Sequence, residues 1–259
     1  MNDKPWALIL GGSSGLGLAT AKKLGSKGFN LIIIHRDRKS DLPQIASDFK
    51  EITSNGVECV AFNIDATNSK KQEDLILKIS EAVKGSKISV LVHSIAKGNL
   101  KPMNSADALE LNNQDFQLTI NAMALSLHDW VKLLVKKELF AEDTRIIAFT
   151  SEGNRKAWQN YAAVSAAKVT LEAITRSIAL EYASKGIKAN CIQAGITDTK
   201  SMRMIPNSDL IVKEALKRNP NNRLTKPEDV ANAAYLLTTE EAKWITGTIL
   251  KVDGGESLR

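Results

Sequence analysis

Seven short apolar runs punctuate the chain: ALIL at 7–10, LIIIH at 31–35, CVAFNI at 59–64, ISVLVHS at 88–94, RIIAFT at 145–150, IKANCIQ at 187–193 and TILKVDG at 248–254. They are short, nearly continuous and rich in β-branched residues, as strands buried on both faces should be. Amphipathic stretches at about 16–27, 41–54, 70–84, 113–138, 158–184 and 227–238 lie between them and read as helices. Strand–helix alternation implies parallel strands joined by right-handed crossovers. The predicted class is α/β, a doubly wound parallel sheet of about seven strands flanked by helices, with a ligand crevice at the C-terminal ends of the strands. No linker, repeat or low-complexity segment divides residues 1–259, so one domain is expected. Residues 198–224 break the rhythm and are expected to form a mobile lid over the crevice.

Composition narrows the setting. Hydrophobic content of 43% and charged content of 25% are ordinary for a globular protein. Cys59 and Cys191 lack metal-ligand spacing, so no metal site and no structural disulfide are expected, and a reducing cytoplasm is the expected location. The first strand begins almost at once, which predicts no signal peptide. No apolar run approaches the roughly 18 residues of a membrane span. Net charge is +6. The basic residues are scattered without a stacking-aromatic pattern, which argues against nucleic acid. A mildly basic surface and a basic mouth for an acidic partner both fit.

The first strand runs into LGGSSGLG at 10–17, where Gly11, Gly15 and Gly17 follow GxxxGxG. Glycines there let the backbone turn tightly beside a pyrophosphate, whose charge the helix N-terminus favours. Alone the pattern also fits a plain strand–helix turn, but its position between a strand and a helix near residue 10 predicts the phosphate loop of a Rossmann-type dinucleotide site, with Ser13, Ser14 and Leu16 inside it. At the end of the second strand the chain reads IIIHRDRK. His35 holds the usual acidic position, and Arg36, Arg38 and Lys39 follow. Guanidinium forks suit a 2′-phosphate, so NADPH is expected over NADH, although Asp37 lies at a spacing that suits a ribose hydroxyl. Asp65 is either an acceptor for the adenine amine or a turn residue. In HSIAKG at 93–98, Ala96 is small enough for the backbone to face the cofactor, and His93 is structural.

Tyr161 and Lys168 stand seven residues apart in NYAAVSAAK. Seven residues make about two helical turns, or about 10 Å, which puts both side chains on one helix face. An acidic hydroxyl and a cation so placed can serve a reduction beside a cofactor. Ketone-reducing enzymes with this pair usually place the tyrosine four residues before the lysine, where this chain has Val164.

The glycine loop, Asp65, Asn121 in TINAMAL, the strand-end Ser151, the Tyr161/Lys168 helix, AGITDT at 194–199 and VDGG at 252–255 together resemble the short-chain dehydrogenase/reductase superfamily over essentially the whole chain. Within it the Tyr-x6-Lys spacing and HSIA at 93–96 resemble a bacterial enoyl-acyl-carrier-protein reductase, of the smaller NADPH-using branch that keeps the ordinary glycine loop. The resemblance implies reduction of an enoyl thioester carried on acyl carrier protein, in fatty acid elongation. It implies Tyr161 and Lys168 as catalytic residues, Ser151 and Asn121 as auxiliary ones, and Gly195, Thr197 and Thr199 beside the cofactor, with Ile196 next to its carboxamide. Met202, Met204 and Ile205 would line an acyl channel. Lys200, Arg203, Lys213, Lys217 and Arg218 read either as a carrier-protein surface or as a solvated face. A homotetramer follows by the same likeness, with no nucleic-acid or membrane partner. The rival readings are a β-ketoacyl or other carbonyl reductase, and a non-catalytic NADPH-binding sensor.

Overall fold

The computed structural model describes residues 4–259. All seven expected strands form, as β1 (Trp6–Leu10), β2 (Asn30–His35), β3 (Cys59–Asn63), β4 (Ile88–His93), β5 (Phe140–Ser151), β6 (Ile187–Ala194) and β7 (Ile249–Val252). They pair in parallel, in the order β3-β2-β1-β4-β5-β6-β7. The order reverses between β1 and β4, which opens the crevice beyond their C-terminal ends.

Helices cover both faces because each strand alternates its apolar side chains between them. Ala7, Ile9, Leu31, Ile33, Val90 and Val92 pack with Leu24 of α1 (Gly15–Ser26), Ile52 of α2 (Leu42–Thr53) and Val230 of α9 (Pro227–Leu236). On the other face Leu8, Leu10, Ile32 and Leu91 meet Ile76 of α3 (Ser69–Ala82), Trp130 of α5 (Ser126–Lys136) and Leu171 of α6 (Ala162–Glu181). Among the described residues no helix is long and apolar enough to cross a membrane.

Four boundaries differ from expectation. The helix expected over 113–138 is α4 (Asn113–Ile120), a π-helical turn over Asn121–Leu125, and α5. A π-helical turn that begins at Asn121, which is itself exposed, interrupts the α-helical run. Strand β5 starts at Phe140 rather than 145, because pairing of Ile88 with Phe140 and of Thr144 with Ile187 carries a polar stretch into the sheet. Helix α6 starts at Ala162, not 158: Asn160 sits at φ 61°, a left-handed residue that cannot continue a helix. Tyr161 is therefore the residue at the mouth of α6, not a member of its first turn. Segment 198–224 holds two helices, α7 (Lys200–Arg203) and α8 (Ser208–Arg218).

Candidate active site

Two adjoining cavities meet at Lys168, which lines both. The first, about 460 Å³, runs along the β1–β4 switch point. Gly11, Ser13, Ser14, Gly15, Leu16, Arg36, Asp65, Ala96 and Thr199 all line it. Gly11 has φ 86°, and a Cβ on it would stand 2.5 Å from the Ser94 carbonyl oxygen. A Cβ on Gly17 would stand 2.1 Å from the Gly11 carbonyl oxygen, so Gly17 holds the loop tight without lining the cavity. Ser14 opens α1 without capping it with its own side chain, which leaves first-turn N–H groups free for an anion. This cradle fits a pyrophosphate.

At the far end of this crevice the charges are already engaged. Asp65 accepts from Arg36 Nη1 at 3.2 Å, from Lys97 Nζ at 3.0 Å, and from the Thr67 N–H and hydroxyl. Burial pushes its carboxyl up, but Thr67 and Lys97 outweigh that and hold it at about 2. The Asp37 carboxylate is bound by His35 Nδ1 at 2.9 Å. Arg38 is exposed and does not line the crevice, so of the two expected arginines only Arg36 is brought there.

The second cavity, about 180 Å³, is mostly apolar. Tyr161, Val164, Met123, Trp158, Met202, Met204 and Ile205 form its walls, and Gly195, Ile196, Thr197 and Ser151 edge it. Tyr161 Oη and Ser151 Oγ are 3.3 Å apart, and the Tyr161 ring packs on Trp158 with centroids 5.1 Å apart. Burial raises the Tyr161 pKa, with Ser151 opposing, so the phenol keeps its proton at neutral pH. Lys168 Nζ donates to the Phe149 carbonyl at 2.7 Å. Burial lowers its pKa to about 8, partly offset by Cys191 and Glu172. His93 is buried with Nε2 against Ser126 Oγ at 2.8 Å, and burial depresses its pKa to about 3. It is the structural histidine expected.

Asn121 is not brought to the site: it is exposed and lines neither cavity. It opens the π-helical turn between α4 and α5 instead. Arg218 departs from the set expected on a carrier-protein surface or a solvated face. It turns inward, pairing with Glu152 at 3.0 Å and Glu256 at 2.9 Å, while Lys200 pairs with Asp41 and Arg203 with Asp198. Glu256 in turn accepts from the Ile196 N–H at 3.0 Å and so fixes the loop after β6. Sequence reasoning missed Glu152, Glu256, Trp158, Gln193 and Glu172. Glu172 accepts from Thr150 Oγ1 at 2.6 Å and from Asn154. The one available signal was Glu172 four residues beyond Lys168, on the same helix face.

A family model described as "Enoyl-(Acyl carrier protein) reductase" matches residues 11–257. The chain is 30% identical over 251 residues to "Uncharacterized oxidoreductase YjdA" of Bacillus subtilis, covering 96% of this chain and 95% of that one. It is 29% identical over 252 residues to a "3-oxoacyl-[acyl-carrier-protein] reductase" of Synechocystis, covering 96% and 95%. The fold superposes on an enoyl-[acyl-carrier-protein] reductase (NADH) from Aquifex aeolicus with a TM-score of 0.83 at 23% identity, covering 98% and 97%.

Proposed function

We propose a reaction from one premise: the chain belongs to the short-chain dehydrogenase/reductase superfamily, in the family described as "Enoyl-(Acyl carrier protein) reductase". Membership makes it an oxidoreductase that uses a nicotinamide dinucleotide. The specific reading is NADPH-dependent reduction of a trans-2-enoyl thioester, carried on acyl carrier protein, in fatty acid elongation. One observation carries it: Tyr161, seven residues before Lys168, lines an apolar cavity in which Val164 fills the position one turn before Lys168.

When bound, NADPH supplies the hydride for the β-carbon. Negative charge then develops on the thioester oxygen as an enolate. The buried, protonated Tyr161 hydroxyl donates to that oxygen, an interaction strongest in the transition state. Ser151 orients the hydroxyl through their 3.3 Å contact. Lys168, at the junction of the cavities, binds the nicotinamide ribose hydroxyls and adds positive potential. Arg36 and Asp37 both line the crevice, Asp37 bound by His35 and Arg36 paired with Asp65, and the exposed Arg36 guanidinium supports the 2′-phosphorylated cofactor.

The Ser151–Tyr161 contact also suits a carbonyl reductase, the activity named for the Synechocystis relative. NADPH oxidation with crotonyl and acetoacetyl thioesters separates the two readings. Faster acetoacetyl turnover would reverse the assignment, and NADPH binding with neither turnover would point to a sensor. Lys213 and Lys217 on α8 remain exposed for an acidic carrier protein. Exposed Trp244, Leu250 and Leu258 around edge strand β7 support the homotetramer, which light scattering checks. A cytoplasmic location goes with the free Cys59 and Cys191.

A further inference from the structure

Among the described residues, three buried side-chain polar atoms meet no hydrogen-bond partner in the protein, His93 Nδ1, Asn154 Oδ1 and Gln193 Oε1, while the Ser257 hydroxyl sits against the Asp253 carboxylate. Gln193 and Ser257 both line the apolar cavity, and Asn154 lies two residues after Glu152, which lines it too. Buried polar groups are normally satisfied, so the orphaned Gln193 Oε1 in this cavity points to a ligand rather than to packing, whereas His93 and Asn154 do not line it. Gln193 is only 2% exposed and stands beside Thr150 in the β5–β6 register. The surrounding carboxylates already have partners. Glu152 pairs with Lys156 and Arg218, and Glu256 with Arg218. Asp253 accepts from the backbone N–H groups of Gly255 and Ser257.

We propose that Gln193, Ser257 and the adjoining Glu152–Arg218–Glu256 group form a subsite for an uncharged hydroxyl or amide group of the substrate. The proposal rests on the reductase reading of the Tyr161 cavity and adds a substrate class to it. A carboxylate faces Glu152, Glu256 and Asp253, which all line the cavity. An ammonium finds Glu152 and Glu256 already paired with cations and Asp253 already accepting from two N–H groups. A plain alkyl chain leaves the Gln193 carboxamide oxygen without a partner. A hydroxyl or amide both donates and accepts, so it satisfies either orientation of the Gln193 amide. Such a group has two sources: the acyl chain itself, or the amide-bearing arm that carries the thioester.

The test uses the NADPH-loaded protein and matched pairs of probes. Octenoyl and ω-hydroxyoctenoyl thioesters differ only at the chain. An N-acetylcysteamine thioester and its alkyl isostere differ only in the arm amide. One of the pairs should show about a tenfold preference in kcat/KM for the polar member, expressed in KM, and which pair does so identifies the source. Gln193→Leu should bring that ratio to about one, and Ser257→Ala should reduce it, with melting curves confirming that both variants fold. The saturated counterparts of the same probes, followed by thermal shift, read the subsite without turnover. Retained binding preference with no enoyl reduction would sink the reductase reading and leave the subsite standing. Enoyl reduction with equal rates within both pairs, or a preference that survives both substitutions, would overturn the subsite and leave the reductase reading intact.

Discussion

Removing one oxygen from Tyr161 separates chemistry from packing. The ring lies against Trp158 and beside Gly153, where a Cβ would stand 2.5 Å from Tyr161 Cε1, so phenylalanine keeps every ring contact. The hydroxyl makes one contact, with Ser151 at 3.3 Å. Losing a single long hydrogen bond at a cavity wall changes stability by about 1 kcal/mol or less. For a chain of this size that is a melting shift of roughly 2–4 °C. The enolate contact is a different matter, because a donor aimed at developing charge in a dry site contributes much more. Tyr161→Phe should lower kcat for enoyl thioester reduction by about ten- to a thousandfold, or roughly 1.4–4 kcal/mol of barrier. Tyr161 does not line the dinucleotide crevice, so the KM for NADPH should hardly move. The assay is NADPH oxidation with crotonyl and longer enoyl thioesters, beside a melting curve of each protein. Full enoyl activity in the variant would refute the assignment. An activity loss matched by a large drop in melting temperature would refute the claim that the hydroxyl acts chemically.

Three other outcomes follow from the same geometry. Arg36→Ala should raise the KM for NADPH about tenfold, roughly 1.4 kcal/mol, with NADH little affected, whereas Arg38→Ala should do far less because Arg38 stands outside the crevice; equal losses for both cofactors would remove Arg36 from 2′-phosphate recognition. Arg218→Met leaves Glu152 and Glu256 without their shared guanidinium and should cost about 3–5 kcal/mol of stability in urea unfolding, with faster proteolysis across 198–224; an unchanged midpoint and cleavage rate would show that this ion pair does not hold the lid. His93 is neutral in the fold down to about pH 3 but protonates near 6.5 when unfolded, so the unfolded chain binds the extra proton in that window and stability falls by about 1.4 kcal/mol per pH unit as pH drops through it; His93→Gln should flatten that slope in urea titrations, and an unaltered slope would assign acid sensitivity elsewhere.

The apolar skeleton was legible because burial leaves a period in the sequence. All seven strands were readable from continuous β-branched runs, and the phosphate loop from glycines that no other residue can replace at Gly11 and Gly17. The positions that escaped were decided by polar partners far along the chain. Strand β5 begins five residues earlier than its apolar run because Phe140–Thr144 find strand neighbours in Ile88 and Ile187. Helix α6 starts late because one asparagine, Asn160, adopts a left-handed conformation that periodicity does not report. Arg218 read as a surface cation until its partners were known, and those lie 66 and 38 residues away.

The same division runs through the active site. The Tyr161/Lys168 spacing is a local property of one segment, so the sequence displays it directly. The cavity around that pair is assembled from β5, β6, α7 and the C-terminal turn, and its polar lining has no local signature. Arg218 links these pieces: it joins the end of α8 to Glu152 after β5 and to Glu256 near the chain end, and Glu256 holds the Ile196 N–H beside the expected carboxamide position. Breaking the Arg218 pairs therefore removes a tie between α8 and the loop after β6. The apolar cavity and the loop after β6 are thus linked through one partly buried guanidinium, and the local Tyr161/Lys168 pair is legible in the sequence while the polar lining assembled from distant segments is not.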